Sequence, residues 1–157
     1  MIDIHIKGGS KSQRTHATSL IRFVHGKFLS RMNYVRVNLH IKDLKDDALG
    51  YCLPSDDADE FRPREFDIEV HNKLPLRRLL QTVAHEMVHA KQFAKGELYE
   101  STRLGKHKWR GNWLPKANID YWDQPWEIEA HGREYGLFIQ WAEANDLGKY
   151  KWTQEAN

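Results

Sequence analysis

The chain has 157 residues, the usual size of one domain, and we predict a single domain over residues 1–157. Its composition, 40% hydrophobic and 29% charged, is typical of a globular protein and excludes disordered, collagen-like and coiled-coil chains. The 24 basic and 22 acidic residues leave a net charge of +2, which is too small to favour nucleic acid or acidic lipid as the main partner.

The single cysteine, Cys52, excludes an intramolecular disulfide and a cysteine zinc ribbon, and it favours a reducing compartment. We expect Cys52 to be a small buried apolar residue, because no neighbour in sequence would lower the pKa of its thiol. The chain has no window of about 18 apolar residues, and its start does not resemble a signal peptide. The sequence therefore predicts a soluble, cytoplasmic protein with no membrane partner.

The first half of the chain is predicted to form one helix and three strands. Apolar residues recur every three or four positions from about 12 to 31, as in an amphipathic helix. Hydrophobic and polar residues alternate over 35–42 and 66–71, the pattern of strands with one buried face. A short run over 49–53 is expected to pair with the first strand as a hairpin. These strands predict a small, mainly antiparallel sheet.

Two more helices are predicted in the second half. Pro75 suits the first turn of a helix that runs to about Lys95, and apolar residues cover nearly its whole circumference, so we expect it to be buried. Pro125 opens a last helix that ends near Asn145. Residues 97–124 between them lose periodicity but hold aromatic residues that include Trp109, Trp113, Tyr121 and Trp122, which indicates a functional or partly structured segment.

The buried helix carries the motif His85-Glu86-Met87-Val88-His89. Two histidines four residues apart lie on one helix face, so both imidazoles can reach one ion at about 2.0–2.1 Å, while Glu86 points about 100° round towards a bound water. Burying these polar groups in an apolar helix is costly unless something pairs them. The motif therefore predicts a Zn²⁺ site with Glu86 as its general base.

A hydrolytic zinc site needs a third protein ligand and one open position. Gln92 and Lys95 stand where the metzincin extension requires a glycine and a histidine, which excludes that subclass. On the last helix, Glu127 and His131 share the stripe that faces the core, whereas Glu129 falls on the polar side. Helical phase therefore ranks Glu127 first as the third ligand, His131 second and Glu129 third.

The segments HEMVHAKQ and PWEIEAHGREYG resemble the gluzincin branch of the zincin metallopeptidases, in particular small phage-type H-E-x-x-H proteins. Residues 75–95 and 125–145 carry the resemblance. It implies a zincin-like α+β domain with an N-terminal helix, a small sheet, a metal-binding helix and a C-terminal ligand helix. It also implies zinc ligands and a general base at positions that match the motifs, namely His85, His89 and Glu127 for zinc and Glu86 for the base.

Two features depart from that pattern. In many gluzincins an aspartate four residues after the ligand glutamate hydrogen-bonds the first histidine, and this chain has His131 there. The segment HGREY is also similar to the third-ligand region of SprT-like proteases, which would make His131 the ligand. However, the separation of His89 and His131 is long for that family, and its cysteine ribbon is absent.

The expected activity is zinc-dependent hydrolysis of peptide bonds, with a peptide or protein as substrate. Zinc would lower the pKa of water to about 7 and polarise the scissile carbonyl, and Glu86 would carry a proton to the leaving amine. Tyr135, Tyr121 and His131 are candidate donors to the oxyanion. An extended substrate would pair with an edge strand, either 66–71 or the one at Leu49. The alternative is a zincin-fold binding module for a protein or nucleic acid, with little or no proteolytic activity.

The segment Arg103–Lys116 holds five basic residues, two tryptophans and no acid, an interleaving found where single-stranded nucleic acid stacks. Because the overall charge is nearly balanced, we interpret it as a solvated loop beside the cleft, and nucleic acid is not favoured as a partner. The same loop could instead cap the site and recognise peptide side chains. We expect His107 at the surface. The histidines outside this segment and outside the candidate site are expected on polar faces, exposed or locally bonded, and we assign them no role: His5, His16, His25, His40 and His71.

Overall fold

The computed structural model describes residues 1–55, 60–115 and 119–154. Lys116, part of the basic segment, lies outside these residues. The elements in chain order are β1 (Ile2–Gly8), α1 (Lys11–Phe28), β2 (Val35–Lys42), β3 (Gly50–Pro54), β4 (Glu65–His71), α2 (Leu76–Ala94), β5 (Leu98–Ser101), β6 (Lys106–Trp109), β7 (Asn112–Pro115) and α3 (Pro125–Ala144). Short 3-10 helices at Tyr121–Asp123 and Lys151–Thr153 lie on either side of α3. The predicted α+β class is confirmed.

The larger sheet has the strand order β1-β2-β4-β3 and is mixed. Strand β2 pairs in parallel with both β1 and β4, and only β3 and β4 are antiparallel. The prediction of a mainly antiparallel sheet is therefore wrong for this sheet. Helix α1 crosses over from β1 to β2, since parallel neighbours need a long connection. Strand β1, which precedes the N-terminal helix, was missed although Ile2, Ile4 and Ile6 alternate with polar residues.

The predicted hairpin between β2 and β3 is also wrong, because β3 pairs with β4 and places Cys52 opposite Ile68. Strand β2 has β1 and β4 on its two edges, so no edge is left for β3. This arrangement leaves β3 at one edge of the sheet. Cys52 is buried, as expected, and burial raises the pKa of its thiol well above the usual range.

Helix α2 lies at the centre of the molecule, where it packs against α1, α3, β3 and β4. Every side chain from Leu79 to Ala94 is buried, which confirms the prediction. Gly96, with φ +72°, follows the end of this helix in the left-handed conformation that favours glycine. Within the three described ranges, no helix has both the length and the apolar character needed to cross a bilayer.

The segment without clear periodicity contains a second sheet, in which β5, β6 and β7 are antiparallel. On one face of this sheet His107 is stacked on Trp126 of α3 at 4.4 Å between ring centroids. His107 is therefore buried, and its expected place at the surface is wrong. His25 is likewise buried, on α1. Four-residue strands are too short to show a sequence period, which explains why this sheet was missed.

Candidate metal centre

The candidate site forms where α2 packs against the first turns of α3. His85 and His89 place their Nε2 atoms 3.2 Å apart. The Glu127 carboxylate lies across both rings, with Oε2 3.2 Å from His85 Nε2 and Oε1 2.9 Å from His89 Nε2. All three side chains are buried. The structure thus brings together the three residues that the sequence analysis proposed as zinc ligands.

The spacing and charge of this cluster fit a divalent cation. Its donor atoms lie within 4.8 Å of one another. Tetrahedral ligands at 2.0–2.1 Å from an ion stand about 3.3 Å apart, close to the separations of 2.9–3.2 Å found here. Burial alone would lower the pKa of His85, but Glu127 and Glu134 raise it to about 10. Burial would likewise raise the pKa of Glu127, but the two histidines lower it. The site therefore favours positive charge.

Glu86 follows His85 on α2 and faces the edge strand β3. A Cβ atom added at Gly50 would lie 3.1 Å from Glu86 Oε1 and 2.9 Å from the carbonyl oxygen of Glu69, so only glycine allows this close approach of strand and helix. Burial raises the pKa of Glu86, which brings this carboxyl closer to the neutral range in which a general base is effective.

These groups line a cleft of about 570 Å³. Its lining comes from β3, from α2 and from the segment before α3, which contributes Tyr121 and Trp122. Arg78 near the start of α2, Phe93 near its end and Leu98 of β5 also line it. The cleft thus combines the candidate ligands, a buried carboxylate and an edge strand in one continuous surface.

The second nitrogen of each histidine has a polar neighbour of its own. His89 Nδ1 lies 2.8 Å from Gln92 Oε1, and the Gln92 amide donates to the carbonyl oxygen of Trp126. His85 Nδ1 lies 3.3 Å from Glu134 Oε2, within ion-pair distance although misaligned for a hydrogen bond. Such partners orient metal-binding imidazoles. Neither role was predicted from the sequence, although Gln92 is one turn from His89 and Glu134 is two turns from Glu127.

His131, the alternative third ligand, lies beside the cluster. Its Nε2 is 3.9 Å from Glu127 Oε2 and 2.9 Å from the Tyr121 hydroxyl, and its Nδ1 is 3.1 Å from Glu134. His85, His131 and Glu134 form a second group of donors within 4.8 Å. Glu134 approaches His85 through Nδ1 rather than Nε2, so the two groups face opposite sides of the His85 ring.

Glu129, the third-ranked candidate, does not face the cluster or the solvent. Its side chain is 12% exposed and pairs with Lys91 at 2.9 Å, with a further contact to Arg133. Burial would raise the pKa of Glu129, but Gln92 and Lys91 lower it to about 2. Its predicted position on the polar side of α3 is therefore wrong, because α2 presents a buried lysine to this part of α3.

Two of the three candidate oxyanion donors line the cleft and the third does not. The Tyr121 hydroxyl donates to Glu127 Oε2 at 2.9 Å, and both Tyr121 and His131 line the cleft. Burial and the Glu127 carboxylate raise the pKa of Tyr121, so it keeps its proton. Tyr135 is 47% exposed, packs under the Arg77 guanidinium at 5.5 Å and does not line the cleft.

No family model matches this chain, and the comparisons with curated proteins and with solved structures found no match. The likeness to gluzincins therefore stays a prediction that depends on the short motifs at 85–92 and 125–136.

Proposed function

We propose that this protein is a zinc-dependent metallopeptidase with a zincin-like fold, in which His85, His89 and Glu127 hold the ion. The proposal depends above all on one observation, the convergence of two imidazole nitrogens and one carboxylate in a cleft that also contains Glu86. Zinc, when bound, would supply the Lewis acidity that lowers the pKa of water and polarises a carbonyl group.

Glu86 has the position and environment of a general base. It is buried yet lines the cleft, so its carboxylate can reach a reacting group without competition from bulk solvent. In the proposed reaction Glu86 accepts a proton from the attacking water and delivers it to the leaving amine. Tyr121 and His131, both in the cleft wall, are the candidate donors to the oxyanion, and the Tyr121 O–H would have to leave Glu127 Oε2 to take this role.

Strand β3 is the edge along which an extended peptide would bind. Of the two strands predicted as candidate edges, 66–71 and the one at Leu49, the topology favours the latter because β4 is paired on both sides. Residues 47–53 line the cleft. Backbone hydrogen bonds to this edge would hold any sequence, so they suit a peptide substrate whose side chains contribute specificity.

The proposed activity can be tested on the purified protein without any variant. We expect about one zinc ion per chain and cleavage of bonds in a mixed peptide library, detected by mass spectrometry. A chelator should abolish cleavage and added zinc should restore it. A protein that holds zinc but cleaves no peptide would contradict the enzymatic proposal and favour the alternative of a zincin-fold binding module.

Glu134→Gln is expected to weaken zinc binding roughly 10- to 100-fold, because the amide cannot supply the negative charge beside His85 Nδ1 that keeps the imidazole oriented and basic. The affinity can be measured by competition with a chromophoric chelator. Glu143→Gln is the matched control, since Glu143 is an exposed glutamate on the same helix. Equal zinc affinities for the two variants would show that Glu134 has no such role.

A further inference from the structure

The small sheet presents a face that the proposed peptidase does not use. Cross-strand register places Tyr99 opposite Lys108 and Lys108 opposite Trp113, so all three point to the same side. Phe61, from the segment before β4, continues this row next to Tyr99. We call the surface made of Phe61, Arg62, Tyr99, Lys106, Lys108 and Trp113 the aromatic-basic face.

The three aromatic rings of this face form a continuous series. Phe61 and Tyr99 are in edge-to-face contact at 6.0 Å, and so are Tyr99 and Trp113. Phe61 is 58% exposed and Trp113 is 43% exposed. Large rings with this exposure, in contact with each other rather than with the core, offer a platform on which a planar ligand can stack.

Cations flank the rings. The Arg62 guanidinium lies 5.2 Å from the centre of the Phe61 ring, and Lys108 Nζ lies 5.5 Å from that of Trp113. Lys106, on the same side of β6, is exposed. Within residues 1–55, 60–115 and 119–154, no carboxylate forms an ion pair with Arg62, Lys106 or Lys108. Among these residues, then, the three cations are not neutralised by an ion pair, which suits an anionic ligand.

Glu100, the acidic residue in the strands of the small sheet, lies on the side opposite the aromatic-basic face. Glu100 neighbours Tyr99 in sequence and so points to the opposite side of β5, where it pairs with His107 at 3.0 Å. Within the small sheet, basic and acidic side chains therefore lie on opposite sides, although the whole chain is nearly neutral. The interpretation of Arg103–Lys116 as a solvated loop does not account for this separation, because it was based on the overall balance of charge.

We propose that the aromatic-basic face binds single-stranded nucleic acid. Unpaired bases would stack on Trp113, Tyr99 and Phe61, while the flanking cations contact phosphates. An acidic peptide would use the cations but has no need of a series of exposed rings, and a duplex keeps its bases stacked on each other. This binding does not depend on zinc or on the proposed peptidase activity.

The test uses the full chain and a fluorescein-labelled 20-nucleotide oligo-dT, with binding measured by fluorescence anisotropy. Trp113→Ala should weaken binding at least fivefold, which corresponds to the loss of about one stacked base. Lys108→Glu should also weaken it and should lower the slope of log affinity against log salt by about 0.7 or more. Glu60→Gln should tighten it, because Glu60 is the acidic neighbour of Phe61.

Tyr150→Ala is the matched control. Tyr150 is 48% exposed and has Lys149 Nζ 5.6 Å from its ring centre, so it repeats the chemistry of the Trp113 and Lys108 pair outside the small sheet. The affinity of the Tyr150→Ala variant for oligo-dT should equal that of the unmodified chain. The proposal is wrong if oligo-dT does not bind, if Trp113→Ala and Lys108→Glu bind it normally, or if a duplex or poly-glutamate competes as well as oligo-dT does.

Discussion

Glu86→Gln is expected to reduce peptide cleavage by about 10²–10⁴-fold while zinc stays bound. Glutamine has nearly the same shape as glutamate but cannot take a proton from the attacking water. The candidate ligand group consists of His85, His89 and Glu127 and does not include Glu86, so the substitution leaves the donor atoms in place. The decisive result is therefore a large loss of cleavage with no loss of bound zinc.

Zinc content and the rate of cleavage of one optimised peptide should be measured on the same preparation. Glu143→Gln is the matched control, because Glu143 is an exposed glutamate on α3 and does not line the cleft. We expect this control to cleave at nearly the normal rate. A Glu86→Gln protein that cleaves within tenfold of the unmodified chain would exclude Glu86 as the base, and one that loses zinc would assign it to the metal site instead.

The helices of this fold could be predicted from sequence because each one is long enough to show its period several times. The 3.6-residue pattern of α2 and the position of Pro75 located that helix within two residues of its ends. The pairing of strands could not be predicted in the same way. Alternation in β2 and β4 shows which face of each strand is buried. It does not show which strand lies next to it, because any strand with the same alternation could pair there. The order and direction of the strands therefore depend on tertiary packing.

Within the candidate site, the sequence was most informative about residues on a single helix. The positions of His85, Glu86 and His89 follow from helical geometry alone, and the phase of α3 was enough to rank Glu127 above Glu129. Helical phase does not predict which residues of two neighbouring helices contact each other. The approach of Glu134 to His85 and the pairing of Glu129 with Lys91 depend on how α3 lies across α2.

Glu127→Ala is expected to lower zinc affinity by more than roughly 100-fold, since removal of a ligand should cost more than removal of a neighbour that only orients one. Its carboxylate is the group that faces the Nε2 atoms of both His85 and His89. His131→Ala should lower the affinity less than tenfold, because His131 contacts the cluster through Tyr121 and Glu134. Zinc affinities of the two variants can be compared by chelator competition.

Glu129→Ala provides the contrast that separates loss of a ligand from loss of structure. It should keep zinc but reduce the free energy of unfolding by about 1–3 kcal/mol, because Lys91 and Gln92 would both lose an acceptor. Among the described residues, buried Lys91 would keep Glu97 as its ion-pair partner. Urea unfolding of the zinc-free proteins measures this reduction in the free energy of unfolding without interference from the metal. If Glu127→Ala retains zinc while His131→Ala loses it, the ion is held through the opposite side of the His85 ring, with His131 and Glu134 as its partners.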